Sequence, residues 1–200
     1  MIVLMRHAEV EGGEGRCAGR FPLHLSPEGR ARALHVAEEL ADAPFARLCA
    51  SPASRTQETL GPLAERTGLP VDILPELDEI DMGVWDGRLF AELKTCCPDQ
   101  YAARGQRLGH FRVPGGESFA DVADRAMRTL SVLAEGAQPT LVATHAGVIM
   151  AVLCRVTGHP LDDLFRFRPG HCRCAVLAPE DGGFRVVAED AAPLEAAALL

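Results

Sequence analysis

The stretch Met1-Ile2-Val3-Leu4-Met5-Arg6-His7-Ala8-Glu9 decides the fold. Ile2 to Met5 is an apolar run, too short for a helix and too continuous for a half-exposed strand. It reads as a fully buried strand of a parallel sheet. The run ends in Arg6 and His7, and a loop carrying Gly12, Gly13 and Gly15 follows. In open α/β sheets, ligands bind just beyond the carboxyl ends of the strands. The strand therefore delivers a guanidinium and an imidazole to the edge where such folds do chemistry. Taken alone, the stretch reads equally well as a strand with two polar residues at its end. The rest of the chain weighs between these readings.

Outward from this strand the pattern recurs. Ser26-Pro27-Glu28 starts a helix, with an N-cap serine, proline at the first position and an acid near the positive end. That helix runs to about Leu40. Phe45 to Ala50 is a second strand, stopped by Ser51-Pro52, and a helix from about Ala53 to Thr67 carries Arg55 at its start. Val71 to Leu74 is a third strand. Leu77 to Gly87 is irregular, and Leu89 to Leu108 reads as short helices. A turn at Val113 to Gly116 leads through Glu117-Ser118 into a helix ending near Leu133. Pro139 to Thr144 is a buried strand that ends at His145, and an apolar helix follows to about Val156. Cys172 to Leu177 and Phe184 to Ala188 form a hairpin around Asp181-Gly182-Gly183. Ala191 to Leu200 is a helical or frayed tail. Strands alternating with helices predict an α/β fold, a three-layer α/β/α sandwich on a mainly parallel central sheet, with residues 1–200 as one domain.

Composition narrows the function. The net charge of −8 repels nucleic acid and anionic membranes, so neither is an expected partner. If the substrate is a phosphate, the attracting charge must be concentrated locally. No run is long and apolar enough for a membrane span, and Met1-Ile2-Val3 lacks the basic start of a signal peptide; a cytoplasmic location is expected. Seven cysteines at irregular spacing read as reduced, buried thiols. His171-Cys172-Arg173-Cys174 is the only cluster resembling a metal site, and it lacks further ligands nearby; no metal or other cofactor is expected. Leu194, Leu199 and Leu200 leave two readings of the tail, a homodimer contact or a fraying end.

Charged or titratable groups thus stand at three strand ends: Arg6 with His7, Arg55, and His145. Glu79 lies on the irregular segment. Two guanidiniums and two imidazoles would make a strong phosphate pocket if these strands are neighbours, because arginine binds phosphate oxygens through a planar fork. Each also has a plainer reading: a surface arginine, a helix-capping histidine, a solvated loop acid.

Five stretches in order resemble the histidine phosphatase superfamily, the phosphoglycerate mutase-like proteins. They are Leu4-Met5-Arg6-His7-Ala8-Glu9, Ser51 to Thr59, Leu77 to Gly87, Pro114-Gly115-Gly116-Glu117-Ser118 and Thr144-His145-Ala146-Gly147-Val148. The resemblance implies that His7 is the nucleophile that becomes a phosphohistidine. Arg6, Arg55 and His145 would hold the phosphoryl group, and Glu79 would protonate the departing oxygen and later activate water. That division of labour suits a loose transition state whose charge spreads over the equatorial oxygens. The second nitrogen of His7 needs an acceptor, most simply a carbonyl of the Gly12–Gly15 loop.

The chain departs from the family at Ala8, where glycine is usual, at Val10, usually threonine or serine, and at Gly13, where an asparagine often contacts phosphate. Ala8 is expected to narrow the pocket or shift the loop. Thr144 or the amide of Ala146 are candidates to replace the missing contact, and Arg20, in a segment resembling a substrate loop, is a candidate to reach the substrate. The remaining His24, His35, His110 and His159 read as structural or exposed, with His171 left open. The short segment between Gly87 and Pro114 favours a phosphatase over a cofactor-dependent phosphoglycerate mutase. A small phosphorylated metabolite is the implied substrate. Leu74 to Glu79, Pro114 to Ser118 and Leu164-Phe165-Arg166-Phe167 most resemble α-ribazole phosphatases, which points to α-ribazole 5′-phosphate. A catalytically silent phosphate binder is the alternative of another class.

Overall fold

The computed structural model describes all 200 residues, Met1 to Leu200. Six strands form one sheet: β1 (Ile2–Arg6), β2 (Arg47–Ala50), β3 (Val71–Ile73), β4 (Thr140–Thr144), β5 (Cys174–Glu180) and β6 (Gly183–Ala191), in the order β3-β2-β4-β1-β5-β6. The first four in that order run parallel; β5 is antiparallel to β1, and β6 to β5. The mainly parallel sheet is the predicted one.

The side-chain period of two splits each strand between two cores. Ile2 and Leu4 of β1 and Val142 of β4 join one cluster, packed under α5 (Phe119–Glu135) and α6 (Ala146–Thr157). Val3, Met5, Leu141 and Ala143 join the other, under α1 (Pro27–Glu39) and α2 (Ser54–Thr67). Strands buried on both faces must be apolar throughout, which is why β1 and β4 read as continuous runs rather than alternating ones. The result is the predicted α/β/α sandwich.

Start signals act as read. Ser26 Oγ accepts the Gly29 amide at 3.0 Å at the head of α1. Ser118 opens α5 through a capping box closed by Asp121. A single 3-10 turn at Pro75–Leu77 leads into the irregular Leu77–Gly87 segment, which contains a second at Gly83–Trp85, and α3 (Phe90–Cys96) and α4 (Pro98–Gln106) follow.

Boundaries differ where neighbours override the local pattern. β1 extends to Arg6, because Arg6 pairs with Thr144. β2 begins only at Arg47, where pairing with Thr140 starts. The hairpin is longer than predicted, and β5 begins at Cys174. Cys172 lies before it in a turn with φ +55°, so it is not a strand residue. The tail is docked rather than frayed: α7 (Pro193–Ala197) buries Pro193 and Ala196, while Leu194 stays 60% exposed. No helix is long and apolar enough to cross a membrane.

Register decides what meets at the sheet's edge. Met5 of β1 and Ala50 of β2 both stand opposite Ala143 of β4. The residues just past those positions are Arg6 and His7, Ser51, and Thr144 and His145. Three separate parts of the chain therefore deliver polar groups to one point.

Candidate active site

A cavity of about 550 Å³ opens at this edge, and Arg6, His7, Arg55, Glu79 and Ala146 line it. His7 is only 7% exposed. Its Nδ1 lies 2.7 Å from the Ala8 carbonyl. A carbonyl can only accept, so Nδ1 carries the hydrogen and Nε2 keeps its lone pair. The acceptor is thus the next residue's own carbonyl and not one in the Gly12–Gly15 loop. Burial, the adjacent His145 and the guanidiniums of Arg55 and Arg6 hold His7 well below the usual imidazole range, over the opposing pull of the Ala8 carbonyl. The ring is neutral at physiological pH.

Arg55 is 2% exposed and sits in the first turn of α2. Its Nε donates to His145 Nδ1 at 3.2 Å, and its terminal nitrogens donate to the carbonyls of Phe21 and Gly19 at 3.1 and 2.8 Å. Three of its five donors are committed, which fixes the fork and leaves one free N–H on each terminal nitrogen. Arg6 is held once, by the Pro169 carbonyl at 2.9 Å.

His145 is sealed, at 0% exposure. Its Nε2 contacts Ser51 Oγ at 2.7 Å and Asp78 Oδ1 at 3.2 Å. Since Nδ1 accepts from Arg55, Nε2 carries the hydrogen. Burial holds His145 below its ordinary value despite the acids Asp78 and Glu79. Asp78 is also lowered: burial opposes its charge, but hydrogen bonding to His145 and to the Glu79 amide outweighs it. Both shifts fit one state, an ionised Asp78 beside a neutral ring, because the Asp78 carboxyl keeps part of its hydration and the ring keeps none. His145 therefore does not line the cavity in this state. It stands behind Arg55, with its ring centre 5.4 Å from that of His7.

Glu79 lies on the cavity wall. Its two oxygens accept the amides of Ile80 and Gly147 at 3.0 and 3.1 Å. Gly147 makes room for the carboxylate in this position, since a Cβ there would force the Glu79 carboxylate to move. Arg125 on α5 fastens the same segment, donating to the carbonyls of Glu76 and Glu79 and pairing with Glu117 at 2.9 Å. Glu117 Oε2 also accepts the Asp81 amide at 3.0 Å. Gly83, at φ +49°, and Gly116 let the two irregular segments touch, because a Cβ on either would meet the other's backbone. Two stretches that read as separate motifs are thus one scaffold for the carboxyl group.

Other expected contacts fall elsewhere. Arg20 does not line the cavity; it pairs with Asp81 and Glu117 at 3.3 Å each. Thr144 is buried, and its hydroxyl donates to the Leu77 carbonyl at 2.7 Å, so it cannot replace a phosphate contact. The amide of Ala146 can, as the first N–H of α6 without an intrahelical partner. Ala8 does not narrow the cavity: its methyl belongs to the core under α1, and its amide donates to Thr59 Oγ1 at 2.9 Å. Val10 and Leu23 make the wall beside Gly13 apolar, and a Cβ on Gly13 would stand 3.0 Å from Val10.

Five residues of the site are assigned no role from the sequence: Ser51 and Asp78, which stand behind His145, and Arg16, Arg104 and His171 on the wall. The His171 ring centre lies 5.7 Å from that of His7. Cys172 and Cys174 are buried, with thiols pushed up to about 11 and about 12. No three potential ligands converge to hold a metal ion, at that cluster or elsewhere.

Comparison with known proteins places this geometry among relatives. A family model described as histidine phosphatase superfamily (branch 1) matches residues 2–191. Glucosyl-3-phosphoglycerate phosphatase of Mycolicibacterium vanbaalenii is 30% identical over 177 residues, covering 81% of this chain and 76% of that protein. Adenosylcobalamin/alpha-ribazole phosphatase of Escherichia coli is 29% identical over 168 residues, covering 82% and 83%. Among solved structures, a mycobacterial glucosyl-3-phosphoglycerate phosphatase superposes with a TM-score of 0.85 at 25% identity, over 96% of this chain and 98% of that one. The alpha-ribazole phosphatase of Shigella flexneri gives 0.82 at 27% identity, over 92% and 94%.

Proposed function

Because this chain belongs to branch 1 of the histidine phosphatase superfamily, we propose that it is a metal-independent phosphomonoesterase working through phospho-His7. The observation that carries this reading is the hydrogen bond from His7 Nδ1 to the Ala8 carbonyl. It leaves Nε2 as a neutral, positioned nucleophile in a cavity whose lining includes the guanidiniums of Arg6 and Arg55.

In the first step His7 Nε2 attacks phosphorus, and the ester P–O bond breaks. Arg6, the free donors of Arg55 and the Ala146 amide take the charge of the equatorial oxygens. Glu79 gives the departing oxygen its proton. In the second step water attacks the phosphohistidine; Glu79 takes the water's proton and the P–N bond breaks, returning neutral His7 and inorganic phosphate. His145 acts through Arg55 in the resting site. When the phosphoryl group draws Arg55 Nε away, Nδ1 is released. A second proton there, favoured by Asp78 behind the ring, would make His145 a direct donor to phosphate.

The substrate is a small phosphorylated metabolite. α-Ribazole 5′-phosphate is one candidate, supported by the likeness to alpha-ribazole phosphatases and by an apolar cavity wall that suits its aromatic base. Phosphoglycerate mutase activity is the less favoured reading, since the named relatives cited above are phosphatases. The test is phosphate release from a generic phosphomonoester with EDTA present. Wild type should turn over, and His7→Ala should lose at least about 10³-fold, the scale of losing a nucleophile. An unchanged rate in the variant would overturn the assignment. Phosphate transfer that depends on a bisphosphate primer would mark a mutase, and tight phosphate binding without turnover a silent binder.

A further inference from the structure

Five of the seven cysteines are buried, and burial pushes their thiols up to about 11 at Cys49, Cys154 and Cys172 and about 12 at Cys17 and Cys174. Such thiols are inert. Cys96 and Cys97 depart from the expected burial. Cys96 is exposed, Cys97 is half-buried, and their sulfurs stand 3.3 Å apart. Arg88 Nη2 donates to Cys96 Sγ at 3.2 Å. The Arg88 carbonyl accepts the Cys17 amide at 2.8 Å, which fixes the segment that carries it. A hydrogen bond from the Cys97 thiol, joined by the Arg88 guanidinium, holds Cys96 below the usual thiol range, and the same hydrogen bond holds Cys97 above it. The pair is therefore polarised, with Cys96 as the nucleophile and Cys97 as the thiol that follows. Two thiols are half of the about four ligands that zinc takes, and no third potential ligand joins them.

The pair sits at a joint. Cys97 ends α3 and starts α4. These two helices cap one end of the cavity, and Phe90 of α3 and Arg104 of α4 both stand on its wall. The Arg104 guanidinium lies 5.9 Å from the Phe90 ring centre. The joint is about 10 Å from that contact, the length of a helix of 7 residues. α3 buries only Leu93 and α4 buries nothing, so little packing resists a change at the joint.

We propose that Cys96 and Cys97 are a redox modification site: exchange with a low-molecular-weight disulfide closes them into a vicinal disulfide, which shifts the two cap helices and slows turnover. The kinetic effect rests on the phosphatase reading above. The Cys96 thiolate attacks one sulfur of the small disulfide, forming a mixed disulfide and expelling a thiolate. Cys97 then gives up its proton and attacks Cys96 Sγ, forming the ring and expelling the second thiolate. The protein dithiol is oxidised, the small disulfide is reduced to two thiols, and the two protons pass to them. The link between the cysteines is a trans peptide, whose Cα atoms stand about 3.8 Å apart. Relaxed disulfides span about 4.4–6.8 Å between Cα atoms. Ring closure must therefore turn the backbone at the joint, and the strained bond stays easy to reduce.

The test exposes the full chain to reduced and oxidised glutathione at stepped ratios, blocks the remaining thiols with an alkylating agent and weighs the peptide that carries both cysteines. That peptide should lose two hydrogens and regain them in dithiothreitol. The oxidised protein should release phosphate from a generic phosphomonoester at least about 5-fold more slowly in kcat/KM, the low end of coupling between two sites. Dithiothreitol should restore the rate. The double variant Cys96→Ser, Cys97→Ser should match reduced wild type and ignore the oxidant, and Cys97→Ser alone should stop at the mixed disulfide. Wild type that stays reduced, or that also stops at the mixed disulfide, would overturn the proposal. So would a ring that leaves the rate unchanged, or inhibition that persists in the double variant. If the reduced chain is inert to every ester, the phosphatase reading fails; the peptide mass and hydrogen exchange across residues 90–106 then still decide the ring and its hold on the cap.

Discussion

The two ends of the cavity are built differently. At the phosphoryl end, His7, Arg55 and His145 are 7%, 2% and 0% exposed, and each is held by hydrogen bonds to backbone or buried side chains. His7 and His145 directly follow strands buried on both faces, and Arg55 stands in the first turn of the helix after a third. At the cap end, Phe90 and Arg104 stand on short helices, and α4 has no buried residue at all. Phe165 is 43% exposed. A group fixed by a packed sheet is preorganised for charge that develops in a transition state. A group on a thinly packed helix belongs to the part of a fold that opens most readily. The difference teaches that the packed sheet fixes the polar end of the cavity, while thinly packed helices form the other end.

Four experiments would break or sharpen that contrast. Arg55→Lys keeps the charge but loses the fork that holds Gly19, Phe21 and His145 at once. It should cost about 10²–10³-fold in kcat, the scale of a lost transition-state donor; a loss confined to KM would show that Arg55 merely binds. Gly147→Ala places a methyl on the Glu79 carboxylate and should lower kcat about 10–100-fold with the thermal midpoint little changed, an effect of displacing a general acid. Asp78→Asn removes the charge behind His145 and should lower kcat/KM about tenfold, moving the alkaline limb of the profile to lower pH, because His145 then loses its second proton more readily. Arg20→Ala should change kcat less than about threefold, since exposed ion pairs contribute little; a larger loss would return Arg20 to the site.

The same end of the cavity fixes a pH response. Both imidazoles are held below the ordinary value of 6.5. The unfolded chain therefore binds protons that the folded chain refuses, and stability falls as pH drops below about 6.5. The urea midpoint should be lower at pH 5.5 than at pH 7.5, and His7→Asn should narrow that gap. Activity should persist somewhat below pH 6.5, because neutral His7 remains the main form there.

Much of the phosphoryl end was legible in the chain. An apolar run ending in Arg6-His7, another stopped at Ser51-Pro52 before Arg55, and a third ending at His145 each announce a buried strand with a polar end, since burial on both faces leaves no other pattern. Local chemistry also marked the starts of α1 and α5. The tertiary structure alone decided which strands are neighbours, and so that Arg6, Ser51 and His145 meet. It turned His145 inward to Arg55 and Asp78, because a ring without water must satisfy both nitrogens from protein. It took Thr144 and Arg20 out of the site by giving them nearer partners, and it brought in Asp78, Arg16, Arg104 and His171. Periodicity records which face of an element is buried; it holds no record of which distant residue a polar group will find, because that depends on register and on chain crossings rather than on the neighbouring sequence.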